Sequence, residues 1–134
     1  MNKSSACVAY SVLLLIWTWL LLKPQPVPES LVGGIAIFDP EMLFFLLAKA
    51  THFGVYAGFA VLGGWLVRGR WIAIALVLHG AASELGQWVG AHHFDTKRHG
   101  CVRDVLIDAA GVFVGTMIVR RIRPKPNPPP APQS

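Results

Sequence analysis

The residues with chemistry to offer fall in two stretches of the sequence. One is Lys49-x-x-His52-Phe53-x-x-Tyr56; the other runs from Ser83-Glu84-x-x-Gln87 through Arg98 and Arg103 to Asp104 and Asp108. Lys49, His52 and Tyr56, at i, i+3 and i+7, share one stripe of a helix, and so do Asp104, Asp108, Gly111 and Gly115, at i, i+4, i+7 and i+11. Both stretches lie inside or beside long apolar runs. A charge held at the centre of a bilayer costs about 2.5–3.5 kcal/mol on insertion scales, so Glu84, Asp104 and Asp108 require partners, shallow depth or a polar cavity. Such a set can neutralise itself as structural ion pairs. It can also line a polar pocket, with Arg98 and Arg103 at the mouth offering forked hydrogen bonds to an anion. A third use is acid–base chemistry, with Glu84 or Asp108 as general base and Lys49 or Arg98 on a phosphate.

Other reactive side chains point to blander roles. His92, His93, Asp95, His99 and Cys101 have ligand-type chemistry, but without a Cys-x-x-Cys or helical frame their spacing reads as a solvated loop, and no metal or other cofactor is expected. His79, midway along an apolar segment and turned from Glu84, reads as a hydrogen-bonded group between helices. Ser83 beside Glu84 lies among small residues and reads as a packing position, not part of a triad. Neither a His-Glu-x-x-His nor a Gly-x-Ser-x-Gly motif occurs, nor a phosphate-binding glycine loop, so a non-enzymatic role is favoured. The two cysteines, Cys7 and Cys101, form no redox pair and read as free thiols.

The same residues, in order, carry a family resemblance. Lys49-x-x-His52-Phe53-x-x-Tyr56, Ser83-Glu84-x-x-Gln87, Arg98 six residues before Asp104, Asp104-Val105-Leu106 with Asp108, and Gly111-x-x-x-Gly115 together resemble the VanZ-like family over about half of the chain, from Lys49 to Gly115. Asp108 stands where that family pattern has Asn, and the stretch Ala91–Lys97 lacks its Pro-Gly. The resemblance implies a multi-pass protein of the cell membrane, associated with low-level resistance to glycopeptide antibiotics, teicoplanin above all.

These residues need elements that hold them in an apolar medium. With 54% hydrophobic and 14% charged residues in 134, the composition is that of a membrane protein of one domain. The formal charge of +5 is assigned to anchoring at an anionic membrane surface, since the basic residues do not interleave with aromatics as nucleic-acid modules require. The predicted fold is all-α with four transmembrane helices: an uncleaved first helix over 6–22, then 43–67, 71–89 and 103–119. Residues 1–42 comprise the first helix and a Pro-rich external loop, 43–119 a three-helix core, and 120–134 a basic, Pro-rich, disordered cytoplasmic tail. Gly111 and Gly115 are expected to let helices pack closely.

Lys3, Arg68, Arg70, Arg120, Arg121, Arg123 and Lys125 divide from Lys23, Lys97, Arg98 and Arg103, which predicts both termini on the cytoplasmic side. At 1.5 Å per residue Lys49, Glu84 and Asp108 then lie roughly 7–9 Å inside the outer ends of three helices. One charge-coupled cluster is expected, as an outward-facing polar pocket built from Lys49, His52, Tyr56, Glu84, Gln87, Arg98, Arg103, Asp104 and Asp108. Its expected partners are membrane lipids, with an anionic lipid head group or a cell-wall precursor as ligand. The competing classes are a membrane-embedded hydrolase or transferase acting on phospho- or isoprenoid lipids, and a small proton-linked carrier, for which the sequence lacks an internal repeat.

Overall fold

A computed structural model describes residues 3–22, 40–66, 71–94 and 101–123. They form four α-helices: α1 (Lys3–Leu22), α2 (Pro40–Leu66), α3 (Trp71–Phe94) and α4 (Val102–Ile122). The Pro-rich loop, the Arg68-Gly69-Arg70 turn, the loop with Asp95, Lys97, Arg98 and His99, and the tail from Pro124 lie outside the described residues.

Three helices carry segments long and apolar enough to cross a membrane: Ser4–Leu22, Phe45–Leu66 and Trp71–His93. They satisfy their backbone hydrogen bonds internally, as a lipid medium demands, and Val12, Leu15, Leu47, Leu62, Leu78 and Leu85 point outwards as lipid-facing groups would. Exposed Trp19 and Trp88 sit towards the C-terminal ends of α1 and α3, and exposed Trp65 and Trp71 lie at the facing ends of α2 and α3, the distribution of two interfacial belts. The 21 residues of α4 are long enough to span, but Arg103, Asp104 and Asp108 fall in its first two turns and Arg120 and Arg121 in its last.

Successive helices alternate in direction. Tyr10 and Trp17 of α1 meet Phe59 and His52 of α2, and Tyr56 of α2 meets His79 of α3. The closest packing is between the parallel helices α2 and α4. A Cβ on Gly111 would run into the Phe53 carbonyl oxygen, one on Gly115 into that of Ala57, and one on Gly64 would press on Val119. With no side chain at these points the two backbones approach until neighbouring atoms are in contact, which supplies the dispersion that lipid cannot replace. Around this seam Tyr56, Phe59, Ala60, Leu76 and Val112 form the buried core, with Tyr10, Leu14 and Trp17 of α1 packed against it.

Every helix differs from its predicted bounds: α1 starts at Lys3 and α4 runs to Ile122, and α2 and α3 are longer for identifiable reasons. α3 continues through His92 and His93 to Phe94, because the Trp88 and His92 rings pack at 4.3 Å and His92 Nδ1 donates to the Trp88 carbonyl. The two histidines are therefore helical and exposed, not part of a loop. α2 begins at Pro40, whose fixed φ and missing N–H suit a first helical turn.

Candidate functional site

The polar residues of the four helices gather towards the end of the bundle formed by the C-termini of α1 and α3 and the N-termini of α2 and α4, and they fall into three linked groups.

The first group lies nearest that end. Lys49 of α2 forms a salt bridge with Asp104 of α4, and its Nζ lies 5.0 Å from the centre of the Phe45 ring. The two side chains retain 21% and 13% of their surface, so this pair is the partly open rim of the cluster. Arg103, next in sequence, is exposed.

Deeper along the same helices His52 Nδ1 donates to Asp108 Oδ1 at 3.0 Å, and Glu84 of α3 joins them. His52, Glu84 and Asp108 are 7%, 4% and 0% exposed, and one ligand-type atom of each lies within 4.8 Å of one from each of the others. Glu84 Oε2 accepts the backbone N–H of Cys101 at 2.7 Å, on the residue that caps α4, where the partial positive charge of the helix start favours a carboxylate. The other carboxylate oxygens, Glu84 Oε1 and Asp108 Oδ2, are buried without a hydrogen-bond partner among the described residues. Asp108 has room because Gly80 of α3 faces it, where a Cβ would come within 3.0 Å of Oδ2. The Trp17 ring covers His52 edge-on at 6.0 Å.

The third group is a hydrogen-bonded chain through the bundle. Thr18 of α1 gives its hydroxyl proton to the Leu14 carbonyl, so across 2.8 Å it can only accept from His79 Nε2–H. In the neutral imidazole Nδ1 then accepts the Tyr56 hydroxyl proton at 2.9 Å. His79 thus ties α1, α2 and α3 together with both nitrogens engaged, the interhelical role expected of it. Gln87 Nε2 donates to the Leu21 carbonyl at 3.0 Å and fixes the end of α1. Ser83 donates to the Gly80 carbonyl within its own helix.

Of the residues singled out in the sequence, Lys49, His52, Glu84, Asp104 and Asp108 come together on α2, α3 and α4. Tyr56 and Gln87 are directed instead to His79 and to α1. Glu84, Asp104 and Asp108 were all open as partners of Lys49, with one cluster of Lys49, Glu84 and Asp108 expected, and the partner is Asp104; Arg98 lies outside the described residues. Gly111 and Gly115 occupy the α2–α4 seam. Sequence reasoning overlooked Thr18, Trp17 and the Cys101 amide, since no pattern marks a lone threonine or a backbone N–H. A groove of about 470 Å³ opens elsewhere, between α3 and α4, and is lined mainly by apolar side chains including Ala73, Val77, Val112 and Phe113.

No family model matches the sequence, and neither a curated protein nor a solved structure matches it.

Proposed function

We propose that the chain is a VanZ-like, four-span protein of the cell membrane, and that the polar end of its bundle engages the head group of an envelope lipid or cell-wall precursor without transforming it. The observation that carries this reading is the convergence of charged side chains from α2, α3 and α4 at one end, with a deep carboxylate–histidine group beneath a partly open Lys49–Asp104 rim. A bundle held together for stability alone gains little from such a group, because apolar residues of the same volume usually serve as well or better. The exposed Arg103 beside the rim, and Arg98 five residues earlier in the sequence, supply the planar donors that bind phosphate in two places at once. Through the VanZ-like resemblance this site is connected with the cell envelope and with tolerance of teicoplanin-type antibiotics.

α4 is taken as the fourth span because it packs along α2 from Lys49 to Trp65 and turns Leu106, Phe113, Met117 and Ile122 outwards. The basic residues at the Trp65–Trp71 end then put that end and both termini in the cytoplasm, and the polar cluster towards the outside. On intact cells an impermeant thiol reagent should label Cys101 and spare Cys7; the reverse pattern contradicts this topology.

The ligand is tested by lipid co-purification. Protein extracted in mild detergent should retain a phosphate-bearing lipid that an Arg98→Ala/Arg103→Ala double variant releases. Equal lipid content in both proteins would refute head-group binding, and chemical change of the retained lipid during incubation would favour a hydrolase or transferase instead.

A further inference from the structure

We infer that His52, Glu84 and Asp108 form a binding site for a divalent transition-metal ion, with Zn²⁺ as its probe. Each ligand comes from a different helix: His52 from α2, Glu84 from α3 and Asp108 from α4.

Charge is the first argument. Glu84 and Asp108 are two almost wholly buried carboxylates within ligand distance of each other, and the lysine of the cluster is engaged by Asp104. His52 can offset one negative charge at most, and then only as imidazolium. Burying an uncompensated ion costs several kcal/mol even after the protein relaxes. A dication placed among the three compensates both acids and leaves the imidazole neutral, the form in which it ligates.

Unused acceptors supply a second, independent argument. Glu84 Oε1 and Asp108 Oδ2 are buried with no hydrogen-bond partner among the described residues, which is rare for carboxylate oxygens in a folded protein. Gly80 packs closely on one of them, and a Cβ there would come within 3.0 Å of Asp108 Oδ2.

Distance fits as well. Zinc–nitrogen and zinc–oxygen bonds of about 2.0–2.2 Å in a tetrahedral site put two ligands of one ion roughly 3.3–3.6 Å apart. The three candidate atoms lie within 4.8 Å of one another, so side-chain movements of about 1 Å close them on an ion. One imidazole with two carboxylates suits a borderline ion such as Zn²⁺ better than one that prefers oxygen alone. Three protein ligands leave at least one coordination position open, the arrangement of sites that take water or substrate. Glu84 is itself steadied by the Cys101 amide at 2.7 Å, the sort of outer contact that orients a ligand.

The experiment uses the full chain in detergent, stripped with a chelator and titrated with Zn²⁺ against a chromophoric competitor without added lipid, so that head-group binding does not enter the result. Saturable uptake of one ion per chain is expected. Glu84→Gln and Asp108→Asn, which keep shape and remove charge, should each weaken it roughly tenfold or more, while His92→Ala/His93→Ala should not. Co²⁺ loading of the unaltered protein provides a readout that needs no variant. Weak visible bands of nitrogen and oxygen ligation, removed by Zn²⁺, are expected. Absence of saturable binding, binding indifferent to Glu84→Gln and Asp108→Asn, loss of binding in the His92/His93 variant, or an intense thiolate band from Cys101 would each overturn the assignment.

Discussion

The two halves of α4 face the same neighbour, α2, and are joined to it by different physics. Towards its C-terminus Gly111, Gly115 and Val119 meet Phe53, Ala57, Ala60 and Gly64, a seam of small residues in which backbones touch. Towards its N-terminus Asp104 and Asp108 meet Lys49 and His52, a seam of charges. The first half is complete: its atoms are packed and it contains no buried polar side chain in need of a partner. The second half leaves Glu84 Oε1 and Asp108 Oδ2 without one. One stripe of one helix therefore combines a part optimised for association with a part in which association is compromised. The compromised part is where a ligand would add most.

The contrast can be broken most forcefully at the glycines. Gly115→Leu should separate α2 from α4 and cost about 3 kcal/mol or more, since even the Cβ meets the Ala57 carbonyl and neither backbone can yield cheaply. Unfolding in bicelles measures this, and a loss below about 1 kcal/mol would mean that the backbones are not in contact.

Lys49→Met should be the next largest, at about 1–2 kcal/mol. That is less than a fully buried pair would lose, because Lys49 and Asp104 keep some solvent contact. Adding Asp104→Asn should recover much of the loss, whereas adding Asp108→Asn should recover less. A double-mutant cycle separates the two, and equal coupling would show that Lys49 serves the whole cluster and not the rim alone.

Tyr56→Phe removes one hydrogen bond to His79 and should cost about 1 kcal/mol, with the helices otherwise in place. Loss of the fold in this variant would assign the Thr18–His79–Tyr56 chain a larger part in assembly than a single bond accounts for.

Much of the architecture was legible in the sequence because a bilayer imposes a coarse rule. Apolar runs of about 20 residues between polar breaks mark the helices, and the small residues Gly111 and Gly115 at i and i+4 mark a seam. The end of α3 was not legible: Gly90, His92 and His93 look like a loop until the Trp88–His92 contact is seen. Which carboxylate meets Lys49 was also hidden. Asp104 and Asp108 share a stripe, and the choice depends on how far α4 is displaced along α2, a quantity set by the Gly111 and Gly115 contacts and absent from any periodicity. The depth of Glu84 followed the same error, since a helix running to Phe94 places it about 15 Å from that end instead of roughly 8 Å. The His52–Glu84–Asp108 group was expected within a larger pocket drawn from three helices, but that these three residues, and not Lys49, form its buried part was not legible.

The central claim is that the polar half of this bundle is kept for a ligand at the expense of stability. Its most direct test is the unfolding free energy of a Glu84→Gln/Asp108→Asn double variant beside the unaltered protein, both stripped of metal with a chelator in the same bicelles. Removing two buried negative charges while preserving shape should leave the variant as stable as the original or more so, as expected where a site trades stability for function. A loss of about 2 kcal/mol or more would contradict the claim, because it would show that the carboxylates stabilise the bundle and are not a cost borne for binding.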